Sequence, residues 1–201
     1  MNYAMILFIG LVGITILMKI VQMIYIRRKS IQLVDYVVNN QFDDFDQQAS
    51  NKIVLFIFPR FNLDYLMLSS YLMRNDEVRI DEQFAKMFQK RLTTNQQEDL
   101  CLKAINYYVS IENKEKSQQV LDYIRNNRNE KIMNEAQCIY KIFMENDFSY
   151  IDEMEQQIEL QDDYAKASIE YLLAKQYENK GDEIKASYFF EQSNIHMTGS
   201  N

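Results

Sequence analysis

The residue types that carry most enzyme chemistry are thinly spread in this chain. It has a single histidine, His196. An imidazole works as a base or a ligand only beside a positioned partner, and no partner stands near it in the sequence, so an isolated, exposed side chain is expected. Cys101 and Cys138 fall on apolar helical stretches with neither C-x-x-C spacing nor a neighbouring His. They read as reduced, buried thiols in a reducing compartment. Carboxylates cluster at Asp43-Asp44 with Asp46, at Asp152-Glu153 with Glu155, and at Asp162-Asp163. None has the glycine and ligand spacing of a calcium loop, so each is expected to be a solvated face or a helix start favoured by the dipole. No Walker loop, nucleophile elbow or HExxH pattern is present. The expectation is therefore a binding protein without catalytic residues, cofactor or metal.

Composition then bounds the elements that hold these side chains. The 201 residues are 47% apolar and 25% charged, with 4 Gly and 1 Pro. So few breakers favour long helices joined by tight turns. Every acidic residue lies after Arg28, and from Ser30 onward 18 basic residues face 29 acidic ones, a balance of −11. Phosphate backbones repel such a body, which argues against nucleic acid as a direct partner.

Ala4 to Met18 is an uninterrupted apolar-to-neutral run. After Lys19 it resumes from Ile20 to Ile26 and stops at Arg27-Arg28-Lys29. As a helix, Ala4 to Ile26 would extend roughly 34 Å, enough to cross a bilayer core. The charge follows the run and no small-residue cleavage site does, so residues 1–29 read as a retained transmembrane anchor. The positive-inside rule then places a few N-terminal residues outside and everything after Ser30 in the cytoplasm, as a single-pass protein of the cell membrane. The remaining chain is expected to be a domain over 30–196 and a flexible tail over 197–201.

The most legible unit within that domain is Leu173 to Phe190, two helical stretches joined by Lys180-Gly181-Asp182. Its aromatic Tyr177 has equivalents upstream at Tyr36, Tyr71, Tyr108 and Phe143, at intervals of 35, 37, 35 and 34 residues. A turn follows each: Asn39-Asn40, Asn75-Asp76, Glu112-Asn113 and Asn146-Asp147. The copy at Tyr108 keeps Ala104, Ser117, Leu121 and Ile124, and the copy at Tyr71 has Leu68, Ile80, Phe84 and Met87. At Phe143, Asp152 and Gln156 fall on packing positions, so the second helix there is expected to shift to Ile151, Met154 and Ile158. Helices are expected over Gln96–Glu112, Lys116–Asn126, Glu130–Glu145, Tyr150–Gln161, Asp162–Asn179 and Glu183–Ile195.

The first copy is the weakest. Phe42, Phe45 and Ala49 form a short second helix, and Ile53 to Phe58 is a β-rich apolar run ended by Pro59. That run is either a strand-like connector or an irregular helical turn packed on the next hairpin.

In its last copy, Leu173, Ala174, Tyr177, Ala186 and Phe190 stand as the large, small, aromatic, small and aromatic residues do in tetratricopeptide repeats, whose period is about 34 residues. The chain resembles that family, in a membrane-anchored bacterial form, from Ser30 to about His196. The resemblance implies an all-α fold: the N-terminal transmembrane helix followed by a right-handed α-solenoid of about five helical hairpins. It also implies a protein or peptide partner held in a groove lined by the first helices of the hairpins. In the phase set by the aromatic residues, that groove presents Asn62, Tyr65 and Ser69, then Asp99, Leu102 and Asn106, then Asn134, Gln137 and Lys141, then Tyr171, Lys175 and Glu178. Amides and tyrosines can hydrogen-bond a peptide while offering apolar contact. The family's basic clamp for a peptide carboxylate is not reproduced, since only Lys141 and Lys175 are basic. The function expected is a membrane-tethered cytoplasmic adaptor. The alternative is an accessory subunit of a membrane complex docked through the last helix and Phe189, and an enzyme with an unrecognised site stands behind both.

Overall fold

In a computed structural model, residues 3–127, 129–158 and 163–199 are described, except for the side chains of 4–10, 163 and 164. They form eleven α-helices, and no strand occurs among the described residues. The chain divides into two compact units, 1–91 and 92–201.

The first unit contains α1 (Tyr3–Val38), α2 (Phe42–Ala49), α3 (Lys52–Ile57), α4 (Arg60–Met73) and α5 (Glu77–Phe88). One face of α1 meets the body, where Leu33 and Val37 join Phe45 and Ala49 of α2, Val54, Phe58 and Leu63 in one apolar core. The stretch 53–58 is helical at α3, and Val54 and Phe58 send it into that core, so it is a connector and not a strand. Pro59 disfavours helical geometry at Phe58, which is extended (φ −70°, ψ 142°), and so separates α3 from α4.

The second unit contains α6 (Thr94–Ser110), α7 (Lys114–Asn126), α8 (Glu130–Met144), α9 (Ile151–Ile158), α10 (Asp163–Lys180) and α11 (Glu183–Thr198). α7 packs on α6 and α8, α10 on α9 and α11, and α8 also lies on α6 and α10 on α8. The shift expected in the fourth hairpin is present: Ile151, Met154 and Ile158 pack with Leu173 and Tyr177.

The turns repeat with one chemistry. Asn40, Asn75, Glu112, Asn146 and Gly181 take positive φ of 57°, 52°, 55°, 54° and 83°. The carbonyls of Tyr36, Tyr71, Tyr108 and Tyr177 each accept from the N–H five residues on, which closes the helix end in the Schellman manner. Next to three of these turns, Asp76, Asn113 and Asp182 cap the following helix by accepting from Arg79, Lys116 and Lys185 N–H. The fourth turn departs from the pattern. Asn146 follows Phe143 by three residues, and Asp147 N–H reaches Lys141 O, so the position equivalent to the other tyrosines is the buried Ile142.

Among the described residues, no helix is long and apolar enough to cross a membrane. The expected anchor falls partly on the side chains of 4–10, which lie outside that description. The backbone of α1 runs unbroken through residues 29 and 30. Tail residues 197–199 belong to α11 and its end, and 200–201 lie outside the described residues.

Candidate functional site

Asn62, Tyr65 and Ser69 lie on α4, in the first unit, and the other nine groove residues lie on α6, α8 and α10 of the second. Asn62, Asp99, Asn106, Asn134, Tyr171 and Glu178 are exposed, and Tyr65, Ser69, Leu102, Gln137, Lys141 and Lys175 are half-buried. Some are already engaged. Asn106 Nδ2 donates to Leu102 O at 2.9 Å, Tyr65 stacks on Phe61, and Lys141 sits over the Tyr150 ring.

Three of the twelve converge. Tyr171, Lys175 and Glu178 line a cleft of about 430 Å³ between α10 and α11, with Ala174 and Ala186, Glu183, Ser187 and Phe190 completing its walls. Lys175 Nζ lies 3.0 Å from Glu178 Oε2. Tyr171 stacks on Phe143 at 6.1 Å and tilts against Phe190 at 6.5 Å, which gives one aromatic row from α8 to α11. Sequence spacing places Phe190 in the repeat but does not show this cleft, because its walls come from both helices of the hairpin and not from the first helix alone.

The same turn hydrogen bond, from Asn113 N–H to Tyr108 O and from Asp182 N–H to Tyr177 O, aligns α6–α7 with α10–α11 without a gap. Ala174, Glu178, Ala186 and Phe190 then correspond to Ile105, Val109, Ser117 and Leu121. Those four are buried in a hairpin on which α8 packs, whereas of their equivalents only Ala174 is buried and Phe190 is 52% exposed. The α10–α11 cleft thus combines the small residues Ala174, Ala186 and Ser187 with the rings of Tyr171 and Phe190 and the charged Lys175, Glu178 and Glu183.

His196 is not isolated. Its Nδ1 lies 2.7 Å from Glu170 Oε2, a carboxylate 26 residues away on α10 and almost wholly buried. Nothing local in the sequence signals this pair, because one helix-turn-helix step separates its members. Phe189 is also placed differently from the expectation: it stacks on Tyr177 at 5.5 Å, inside the hairpin, while Ile184, Tyr188 and Phe190 face outward.

The carboxylates are mostly engaged by the fold. Arg74 forms a bidentate pair with Asp46, at 2.7 and 2.8 Å. Asp43 and Asp44 occupy the first turn of α2, and Asp152 and Glu153 that of α9. Asp162 lies outside the described residues. Tyr177 Oη donates to Glu155 at 2.5 Å and accepts from Lys185 Nζ at 2.8 Å. Burial and the Glu155 charge push the Tyr177 phenol up, and its hydrogen bond raises Lys185, so at neutral pH the phenol stays protonated and the amine charged. Cys101 is buried, and burial pushes its thiol up to about 12; Cys138 is half-buried and pushed up to about 11. Among the described residues, no group of three or more His, Cys, Asp or Glu is placed to hold a metal ion.

Comparison of the chain with protein families, with curated proteins and with solved structures finds no match.

Proposed function

We propose that the protein is a membrane-tethered adaptor that holds a helical segment of a protein partner. The observation that carries this is the open α10–α11 cleft, at the place where the equivalent residues of the α6–α7 hairpin, on which α8 packs, are buried. Apolar contact would come from Tyr171 and Phe190, and with Lys175 paired to Glu178 the cleft keeps the negative charge of Glu183, which favours a basic amphipathic helix over an acidic one. On this proposal the hairpins form a right-handed, tetratricopeptide-like solenoid. The recurrent turns and the intervals near 35 residues support that architecture.

The anchor completes the proposal. Leu11, Ile14, Leu17, Met18 and Val21 are more than half exposed on α1, with no protein surface over them. They continue the apolar residues 4–10, so the helix is assigned to the bilayer, its start outside and the body on the cytoplasmic side behind Arg27–Lys29. Tethering raises the local concentration of both partners, so modest affinity suffices.

The test is photo-crosslinking in native membranes, with a benzophenone side chain at Ser187 or Phe190 and, for comparison, at Asn134. A basic amphipathic segment linked at Ser187 and Phe190 is expected. Absence of protein crosslinks at all three positions overturns the adaptor proposal. A second reading, a structural subunit of a larger complex, is favoured by Ile184 and Tyr188, one turn apart on the same face of α11 and both more than half exposed. Size measurement of the detergent-solubilised protein separates the two, because a strictly monomeric species removes the subunit reading.

A further inference from the structure

We propose that α3 lies in the lipid headgroup layer and forms a second membrane contact beside α1. The proposal rests on the anchoring of α1 put forward above. Within its six residues, α3 divides its side chains sharply. Val54 is fully buried in the core shared by α1, α2 and α4, whereas Ile53 is 56% and Phe56 88% exposed.

Isolated exposed apolar side chains are ordinary on any protein, and it is the position of these two that is informative. Gln22 Nε2 of α1 donates to Ile57 O at 3.5 Å, which pins the end of α3 beside residue 22. Gln22 stands five residues before Arg27, so this point lies about 7 Å along the helix toward the apolar run. The end of α3, with Phe56 next to Ile57, therefore lies toward the apolar run from the basic cluster.

Charge agrees with that placement. Lys52 and Arg60 bracket α3 and are exposed, and no acidic residue occurs between Asp46 and Asp64, although the chain beyond Ser30 is strongly acidic. Lys19 on one side of residue 22 and Arg27 and Arg28 on the other add basic groups along α1, a composition that suits an anionic lipid surface. A folded protein partner is disfavoured, because a specific interface needs roughly 800 Å² per partner and α3 offers two side chains.

The chain contains no tryptophan, so one introduced indole reports its own surroundings. Full-length Phe56→Trp, Leu17→Trp on α1 and Val78→Trp on α5 are each reconstituted in phosphatidylcholine–phosphatidylglycerol vesicles, with and without brominated lipid. All three sites are exposed, so the substitutions leave the core intact. Phe56→Trp is expected to show blue-shifted emission, quenched most by bromine near the headgroup. Leu17→Trp is expected to be quenched most by bromine deep in the chains, and Val78→Trp to be unaffected. If Leu17→Trp is quenched and Phe56→Trp behaves as Val78→Trp does, the role of α3 is overturned and the anchor stands. If neither is quenched, both proposals fall.

Discussion

Asp64 on α4 offers the sharpest test of how the first unit is held together. Lys86 Nζ lies 2.7 Å from its Oδ1, Lys90 Nζ binds its Oδ2, and Gln83 Nε2 donates to its backbone carbonyl at 2.8 Å. Burial alone would raise this carboxyl, but the hydrogen bonds and charges of Lys86 and Lys90 outweigh it and hold Asp64 below the ordinary value of 3.8.

Replacement by Asn keeps the shape and removes the charge. Two charge-assisted bonds are worth about 1.5–3 kcal/mol each before screening. The lysine side chains are 49% and 37% exposed, so solvent removes a large part of that. Relief from carboxylate desolvation offsets more, and about 2 kcal/mol of net destabilisation remains. Urea titration of the full chain in mild detergent should show the α4–α5 transition shifted down by about 1 M at neutral pH.

The native value is depressed, so the contribution is fully present above about pH 4 and disappears as pH falls through the lowered value. The gap between parent and Asp64→Asn must therefore close in acid. A gap of the same size at neutral pH and in acid that protonates Asp64, or none at neutral pH, refutes the reasoning. Converting Lys86 and Lys90 together to Met should cost more, about 3 kcal/mol at neutral pH, because the buried carboxylate then has no cation.

Three further outcomes follow from the turns, the Arg74 pair and the thiols. Glu112→Gly should raise stability by roughly 0.5 kcal/mol, since a left-handed residue with a side chain costs more than the added freedom of glycine. Gly181→Ala should lower it by about 1 kcal/mol, all of it backbone strain because the space around the new Cβ is open; thermal melts of both variants check the signs. Arg74→Lys should cost roughly 1–2 kcal/mol in urea melts, because lysine loses the bidentate pair with Asp46 and the flat packing over Phe42 and Tyr71. Maleimide should label both cysteines much more slowly in the native protein than in urea, with Cys138 reacting before Cys101. Native labelling as fast as unfolded labelling would contradict their burial.

The periodic parts of this fold were legible because they are local. Tyr36, Tyr71, Tyr108 and Tyr177 each sit four residues before a left-handed turn, a geometry written in consecutive residues. Phe143 misled by one position because its turn closes on Lys141 instead, a difference that only the hydrogen bonds reveal. The β-rich composition of Ile53 to Phe58 left strand and helix open. Packing decides between them, since a strand would set Phe56 on the same face as Val54 and Phe58, whereas Phe56 is exposed and the other two are buried, the i, i+4 pattern of a helix. Pairs such as Glu170–His196, and the convergence of Tyr171 with Phe190, depend on how α10 and α11 are set together, which spacing along one helix does not encode.

The unbroken course of α1 has a mechanical consequence. Its 36 residues make a rod of about 54 Å with no hinge between its apolar end and the core formed around Leu33 and Val37. The α2–α5 body therefore cannot swivel independently of that rod, and whatever fixes the apolar end also fixes the body's bearing. A single residue inserted between Tyr25 and Leu33 would turn one end against the other by about 100°. The helix thus acts as a keyed shaft whose phase decides which face of the body is presented.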